Sequence, residues 1–161
     1  MYKTPPLGQD FPKGGAFMEI REIMTQPAIS IHLDESAEVA ARTLTHYNIG
    51  ILPVCGKDGK ICGLVTDRDL VTRCMASGKT PAQTKVREIM TTGVTSVTPN
   101  MEAGAAAQLM GSHQVRRLPV IENGILQGMV SLGDLAKRPE STDNAAGALT
   151  KISSNPADFE G

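Results

Sequence analysis

Apolar residues recur along the chain with two spacings, one typical of helices and one typical of strands. In Ala37–Tyr47 they fall at positions i, i+3, i+4, i+7 and i+10, and Ala103–Met110 follows the same spacing up to i+7, which predicts two amphipathic helices. Short apolar runs flank Asp58-Gly59 and Asn123-Gly124, dipeptides that favour the tight turns of β-hairpins. Helices that alternate with short strands predict an α/β fold.

These elements occur twice because the chain contains an internal repeat. The segment IREIMT begins at Ile20 and VREIMT begins at Val86, an offset of 66 residues, and the tripeptide Leu-Pro-Val recurs at the same offset from Leu52. Gly63-Leu-Val-Thr and its counterpart Gly-Met-Val-Ser lie 65 residues apart, because the second hairpin is one residue shorter. The predicted domains are a first repeat at 18–77, a linker at 78–85 and a second repeat at 86–138.

Each repeat is predicted to follow the order β-α-β-β-α and to form small mixed sheets. The first strands are predicted at Ala28–Ile31 and Val94–Val97. Asp34 and Asn100 are the predicted N-caps of the helices that follow. After each hairpin, a second helix is predicted to begin at Thr66 or Ser131.

The two ends of the chain differ from the repeats. Residues 1–17 are rich in Gly and Pro, and Met18 has the character of a natural start, so this tail is predicted to be disordered or derived from cloning. Residues 139–161 are predicted to be a polar linker and a short helix. The apolar face of that helix would consist of Ala145, Ala148, Leu149 and Ile152.

With the Leu-Pro-Val strands and the Gly-h-x-[Ser/Thr]-x-x-Asp element in both copies, the chain resembles a tandem pair of CBS domains, also called a Bateman module. It is similar to stand-alone two-domain CBS proteins of bacteria. The resemblance covers about residues 18–138. It implies one pseudo-two-fold module with two clefts between the repeats, which in this family often hold adenine nucleotides or S-adenosylmethionine.

The segments Thr66-Asp-Arg-Asp69 and Ser131-Leu-Gly-Asp134 have two alternative interpretations. Both fit the capping box S/T-x-x-D/E, which by itself explains their spacing. The functional alternative is that the carboxylates of Asp69 and Asp134 accept hydrogen bonds from the hydroxyls of a ribose. The resemblance to CBS domains favours this second role, with Thr66 and Ser131 beside the ligand.

Charge asymmetry between the repeats points to a phosphate-binding position. Arg116 and Arg117 directly precede the second Leu-Pro-Val, at positions that are often basic in nucleotide-binding CBS proteins and reach phosphates there. The first repeat has Gly50 and Ile51 instead, and its basic candidate is Arg68. The two half-sites are therefore predicted to differ. The alternative is that the arginines are simply solvated.

The resemblance also implies that adenine lies against residues near the first strand of each repeat. Ile29 and Thr95 occupy such positions, next to Ala28 and Val94. Their chemistry does not select adenine, and plain strand packing explains them equally well.

Composition excludes several classes of partner. There are 16 Lys and Arg against 17 Asp and Glu, for a net charge of −1, so no broad attraction to nucleic acid or anionic lipid is expected. Between Met18 and Asp158 the single aromatic residue is Tyr47, which excludes a base-stacking platform. No apolar run is long enough to span a bilayer. The expectation is a cytoplasmic protein.

Cysteines and histidines give little support for metal binding or catalysis. Cys55, Cys62 and Cys74 form no CxxC pair, and the three histidines are dispersed without metal-ligand spacing. No GxSxG, Walker A or HExxH motif is present.

The sequence thus predicts a non-enzymatic regulatory module that requires no cofactor. Its regulatory ligand would be AMP, ADP, ATP or S-adenosylmethionine, and ligand binding would change the conformation or the dimer geometry. A homodimer is expected through the amphipathic helices Ser36–Tyr47 and Glu102–His113. Two alternatives remain open, a ligand-free stress-response adaptor for an unidentified protein target and a thiol redox sensor that uses Cys55 and Cys62.

Overall fold

The computed structural model describes residues 18–138 and 142–154, which form two compact units. Unit 1 holds residues 28–94 and 124–126. Unit 2 holds residues 18–27 and 95–123 and the described residues from 127 onwards. The predicted tail at 1–17, residues 139–141 of the predicted linker, and residues 155–161 lie outside the described residues.

Unit 1 contains a three-stranded sheet with helices packed on it. Its strands run in the order β1-β2-β3, with β1 parallel to β2 and β2 antiparallel to β3. The strands are β1 (Ile31–His32), β2 (Ile51–Cys55) and β3 (Ile61–Thr66). The helices are α1 (Ala37–Tyr47), α2 (Asp67–Asp69), which continues as a π-helix at Leu70–Met75, a 3-10 turn at Pro81–Gln83, and α3 (Val86–Ile89).

Unit 2 has a related plan, with a two-stranded sheet and one further helix, α6. Its elements are a 3-10 turn at Ile20–Glu22, α4 (Ala103–His113), a sheet of β4 (Arg117–Glu122) and β5 (Ile125–Ser131), α5 (Leu132–Ala136) and α6 (Thr142–Ser153). The first two residues of β5 fall in unit 1. The helix predicted after the second repeat is therefore present as α6. None of the helices in the described part of the chain has the length and apolar composition needed to span a bilayer.

The first strand of each repeat is shorter than predicted. In unit 1 the strand is only Ile31–His32, and in unit 2 the segment Val94–Val97 makes one parallel bridge, from Val97 to Val120. The proline of each Leu-Pro-Val tripeptide explains both. If the parallel pairing continued towards the start of each strand, the carbonyls of Ile29 and Thr95 would accept hydrogen bonds from the backbone of the neighbouring strand. The backbone nitrogens that face these carbonyls belong to Pro53 and Pro119, and proline has no N–H to donate, so the pairing stops there.

The predicted N-caps are wrong by two residues in both repeats. Ser36 caps α1, since its Oγ accepts a hydrogen bond from the Val39 N–H at 3.2 Å, and Glu102 is the N-cap residue of α4. A turn from His32 to Glu35 precedes the first helix, so Asp34 lies too early to cap it. The Asp34 carboxylate instead pairs with Lys85 and Arg87.

The opening segment of each repeat, residues 20–25 or 86–91, lies in the unit built mainly from the other repeat. Val86 and Ile89 are fully buried in the core of unit 1, with Leu52, Val54 and Val65. Ile20 is fully buried in the core of unit 2, together with Met110, Leu118, Val120 and Leu135. The boundaries of the sequence repeats are therefore not the boundaries of the two cores.

A glycine in each unit makes the contact with the opening segment possible. In unit 1 Leu64 and Thr91 exchange backbone hydrogen bonds of 2.9 and 2.8 Å, and a Cβ on Gly63 would lie 2.6 Å from the Thr91 carbonyl oxygen. In unit 2 Met129 and Thr25 pair in the same way, and a Cβ on Gly128 would lie 2.7 Å from the Thr25 oxygen. The two glycines thus occupy equivalent positions where two backbones approach closely.

Candidate ligand site

The two Ser/Thr-x-x-Asp segments form capping boxes at the starts of α2 and α5. The Thr66 hydroxyl accepts a hydrogen bond from the Asp69 N–H at 3.1 Å, and Asp69 Oδ2 accepts one from the Thr66 N–H at 3.0 Å. Ser131 and Asp134 make the same two bonds at 3.1 and 2.8 Å. Capping, the simpler of the two interpretations, is therefore a role of all four residues.

Among the described residues, Asp69 is in an ion pair with Arg73, whereas Asp134 is in none. Arg73 Nε lies 3.6 Å from Asp69 Oδ1, and its Nη1 donates hydrogen bonds of 3.1 Å to the carbonyls of Ile89 and Met90. Both oxygens of Asp69 are thus engaged inside unit 1, and Asp69 itself is buried. A ribose hydroxyl at Asp69 would have to compete with Arg73.

Unit 2 contains an open cavity with a volume of about 520 Å³, and the predicted phosphate-binding residues line it. Its polar wall consists of Arg116, Arg117 and Ser131, at the ends of β4 and β5. Both arginines are exposed, and within residues 18–138 and 142–154 neither is paired with a carboxylate. Among the described residues that line the cavity there is no Asp or Glu. The cavity therefore has a cationic wall suited to an anion.

The other described walls of the cavity are apolar, and one of them belongs to a helix that was not predicted to be part of the site. Leu132, Gly133 and Ala136 of α5 form one part, and Ala145, Ala146 and Leu149 of α6 form another. The sequence did contain a signal for this packing. Gly104 and Gly111 on α4 correspond to Glu38 and Thr45 on α1, so α4 alone has small residues on that face.

Helix α6 covers α4 at these small residues. A Cβ on Gly111 would lie 3.3 Å from Ala148 Cα, and one on Gly104 would lie 3.0 Å from Asn144 Nδ2. Ala145 and Ala148 are 4% exposed and belong to the core of unit 2. The helix at Glu102–His113 was one of two that were expected to form the homodimer through an apolar face. In the structure α6 of the same unit covers that face.

The other predicted site residues are distributed between the units. In unit 1, Arg68 is exposed on α2, where its backbone N–H donates to Asp67 Oδ1 at 2.8 Å, and Ile29 packs against the core. In unit 2, Thr95 is half-buried before the bridge at Val97. Of all the predicted residues, the structure places Arg116, Arg117 and Ser131 around one cavity.

The cysteines are free thiols, and the environment of Cys55 works against reactivity at neutral pH. Burial raises the pKa of the Cys55 thiol above its ordinary value of 9.0. Since the thiolate is the reactive form, a raised pKa lowers the fraction that can be oxidised or alkylated. Among the described residues no group of three His, Cys, Asp or Glu side chains could hold a metal ion.

Comparison with known proteins gives a consistent result across sequence and structure. The family model for the CBS domain matches twice, at residues 20–76 and 86–141. The CBS domain-containing protein YhcV of Bacillus subtilis is 39% identical over 134 residues, which cover 83% of this chain and 94% of YhcV. Hypoxic response protein 1 of Mycobacterium tuberculosis is 33% identical over 117 residues, which cover 73% of this chain and 82% of that protein.

Solved structures of CBS proteins have the same fold. Hypoxic Response Protein I with two coordinated zinc ions gives a TM-score of 0.70 at 32% identity, covering 75% of this chain and 98% of that one. The CBS domain pair of protein MJ0100, in complex with 5′-methylthioadenosine and S-adenosyl-L-methionine, gives 0.67 at 25% identity, covering 75% and 94%. The resemblance and the α/β fold predicted from the repeat are confirmed: the chain belongs to the CBS-domain family and is a regulatory pair of two CBS domains.

Proposed function

We propose that this CBS pair is a non-enzymatic sensor that binds an adenine nucleotide (AMP, ADP or ATP) in the cavity of unit 2. The observation that carries the proposal is the cationic wall that Arg116 and Arg117 form in a cavity whose described lining residues include no carboxylate. Two guanidinium groups favour the charge and geometry of phosphates. The adenosyl ligands of the MJ0100 pair support an adenosine-containing molecule in this family.

Charge also distinguishes between the candidate ligands. S-adenosylmethionine carries a sulfonium cation and a carboxylate, so two arginines attract it less strongly than they attract a nucleotide. The affinity should therefore increase with phosphate number, from adenosine to ATP. Ligand binding would signal by changing the conformation or the dimer geometry, which requires different affinities for the two states.

Asp134 is the proposed ribose-binding residue. It follows the cavity-lining residues Ser131, Leu132 and Gly133 directly in α5, and its Oδ2 is held by the Ser131 N–H. Its counterpart Asp69 is paired with Arg73. We therefore propose the stronger site in the second repeat, with Asp134, and a weaker half-site in the first repeat, with Asp69, Thr66 and Arg68. The predicted adenine contacts Ile29 and Thr95 are not among the described residues that line the cavity, so the proposed site does not use them.

Calorimetry on the full chain with adenosine, AMP, ADP, ATP and S-adenosylmethionine tests the proposal. Asp134→Asn removes the charge but keeps a side chain that can cap the helix. It should weaken AMP binding by about 10–150-fold, which corresponds to the loss of one charge-assisted hydrogen bond. Asp69→Asn is the matched control and should have a smaller effect. If the parent protein binds none of the five compounds, the sensor function is wrong.

A protein-interaction adaptor is the second candidate, and two observations favour it. The chain is 33% identical to Hypoxic response protein 1, whose name refers to a stress response. Unit 1 also leaves apolar side chains uncovered on α1 and on the π-helix after α2. These are Val39, Tyr47, Val71 and Met75, which are 37%, 50%, 55% and 66% exposed. The raised pKa of Cys55 does not favour the redox alternative.

The uncovered side chains of unit 1 also support a homodimer. Exposed Val71 and Met75 are four residues apart and share one side of their helix, a pattern typical of an interface. Light scattering at micromolar concentration should give about twice the chain mass of 17.1 kDa. Val71→Ser with Met75→Gln should shift the protein towards the monomer. A monomeric parent protein would contradict the dimer.

A further inference from the structure

We infer that helix α6 is a ligand-responsive wall of the binding site. The inference rests on the proposed nucleotide binding and adds an element that lies outside the two matched CBS domains, which end at residue 141. Ala145, Ala146 and Leu149 of α6 line the same cavity as Arg116 and Arg117. The ligand that fits is an anion with a flat apolar body, with its phosphates on the arginines and its base against α6.

The position of α6 is set by packing on α4 and α5. Ala145 and Ala148 are almost fully buried, and the two helices approach so closely that a Cβ on Gly111 would lie 3.3 Å from Ala148 Cα. Since Glu38 and Thr45 stand at the equivalent positions of α1, this docking position is specific to the second repeat. Helix α6 is therefore a built part of unit 2.

Leu149 is the residue that would report the ligand. It lines the cavity but is 45% exposed, so a large apolar side chain faces solvent beside two guanidinium groups. A planar base that covered Leu149 would remove apolar surface from water, and the phosphates would remain in reach of Arg116 and Arg117. Inorganic pyrophosphate offers the arginines the same charge but has no apolar surface for Leu149.

Coupling follows from this geometry. A ligand that contacts α6 only when α6 is docked binds the docked state more tightly and must shift the equilibrium towards it. The adenine nucleotide should therefore stabilise the docked helix, and a change that displaces α6 should weaken nucleotide binding. Occupancy of the cavity would in this way be transmitted to the C-terminal end of the described chain.

The experiment measures AMP and pyrophosphate binding by calorimetry on the full chain and three variants. Leu149→Gln keeps a good helix former and should weaken AMP binding about fivefold while leaving pyrophosphate binding unchanged. Ala148→Glu places a charge in the α4 contact, displaces α6 and should weaken AMP binding at least as much. Gly147→Ala is the control, since a Cβ there meets no atom within 4 Å, and it should bind AMP like the parent.

Hydrogen exchange gives an independent readout. Amides of residues 145–152 should exchange more slowly in the parent protein when AMP is added, and this protection should be lost in Ala148→Glu. Parent-like AMP binding in both Leu149→Gln and Ala148→Glu, or exchange in α6 that AMP does not change, would overturn the role of α6 and leave nucleotide sensing intact. A parent protein that binds no nucleotide would instead overturn the proposed function, and this inference with it.

Discussion

Replacing both Arg116 and Arg117 with alanine is expected to weaken ATP binding by about 10–100-fold, because the phosphates lose their two cationic partners. The effect is no larger because both arginines are exposed, so their hydrogen bonds contribute binding free energy at the low end of the range for charged groups. Adenosine binding should stay within about twofold of the parent value, since adenosine has no phosphate for the arginines to contact. Calorimetry at low salt measures both values.

Two controls separate the phosphate contact from general charge. Arg42→Ala removes an exposed arginine from α1 of unit 1, where it pairs with Glu38, and should leave ATP binding unchanged. Raising the salt concentration should reduce the difference between the parent and the double variant, because salt screens exposed charges. An equal loss of ATP and adenosine binding would contradict phosphate recognition by this pair.

Replacing Gly63 or Gly128 with alanine is expected to lower the free energy of unfolding by about 1–3 kcal/mol each. A Cβ at either position would lie 2.6 or 2.7 Å from a backbone carbonyl oxygen, so the paired backbones must separate and their two hydrogen bonds must lengthen. Urea denaturation followed by circular dichroism measures the change.

Gly147→Ala is again the matched control, because it adds the same methyl group in an open part of α6. It should raise stability by about 0.5–1 kcal/mol, the usual gain for alanine over glycine inside a helix. If Gly63→Ala leaves the free energy of unfolding unchanged, or raises it as Gly147→Ala should, the opening segment is not held as the structure indicates.

The repeat made most of the fold predictable from the sequence. Each element could be checked against its copy at an offset of 65 or 66 residues, so the hairpins and both capping boxes were placed correctly. The errors came from interactions that local pattern does not contain. Pro53 and Pro119 limit strand pairing through the partner strand, and Asp34 is drawn to Lys85 and Arg87, about 50 residues away in sequence.

The candidate site was predictable only in its charged part. Arg116 and Arg117 differ from their counterparts Gly50 and Ile51, and this asymmetry is visible without a structure. The apolar wall could not be predicted from the sequence. The spacing of Ala145, Ala148 and Leu149 predicts an apolar helix face, but it does not show which surface that face covers. That surface becomes evident only when Gly104 and Gly111 are seen against α6. The competition between Arg73 and a ligand at Asp69 was missed for the same reason.

Because the opening segment of each repeat is buried in the unit built mainly from the other repeat, neither core can be completed by one repeat alone during synthesis. Unit 1 lacks Val86 and Ile89 until about residue 91 has left the ribosome, so its core closes only after the second repeat has begun to emerge. Ile20 emerges early but must wait for Met110, Leu118 and Leu135 before it can be buried. Because these contacts are long-range in sequence, we expect unit 1 to form first and unit 2 to follow more slowly. A fragment cut at residue 77 would consequently lack part of its own core and should not fold.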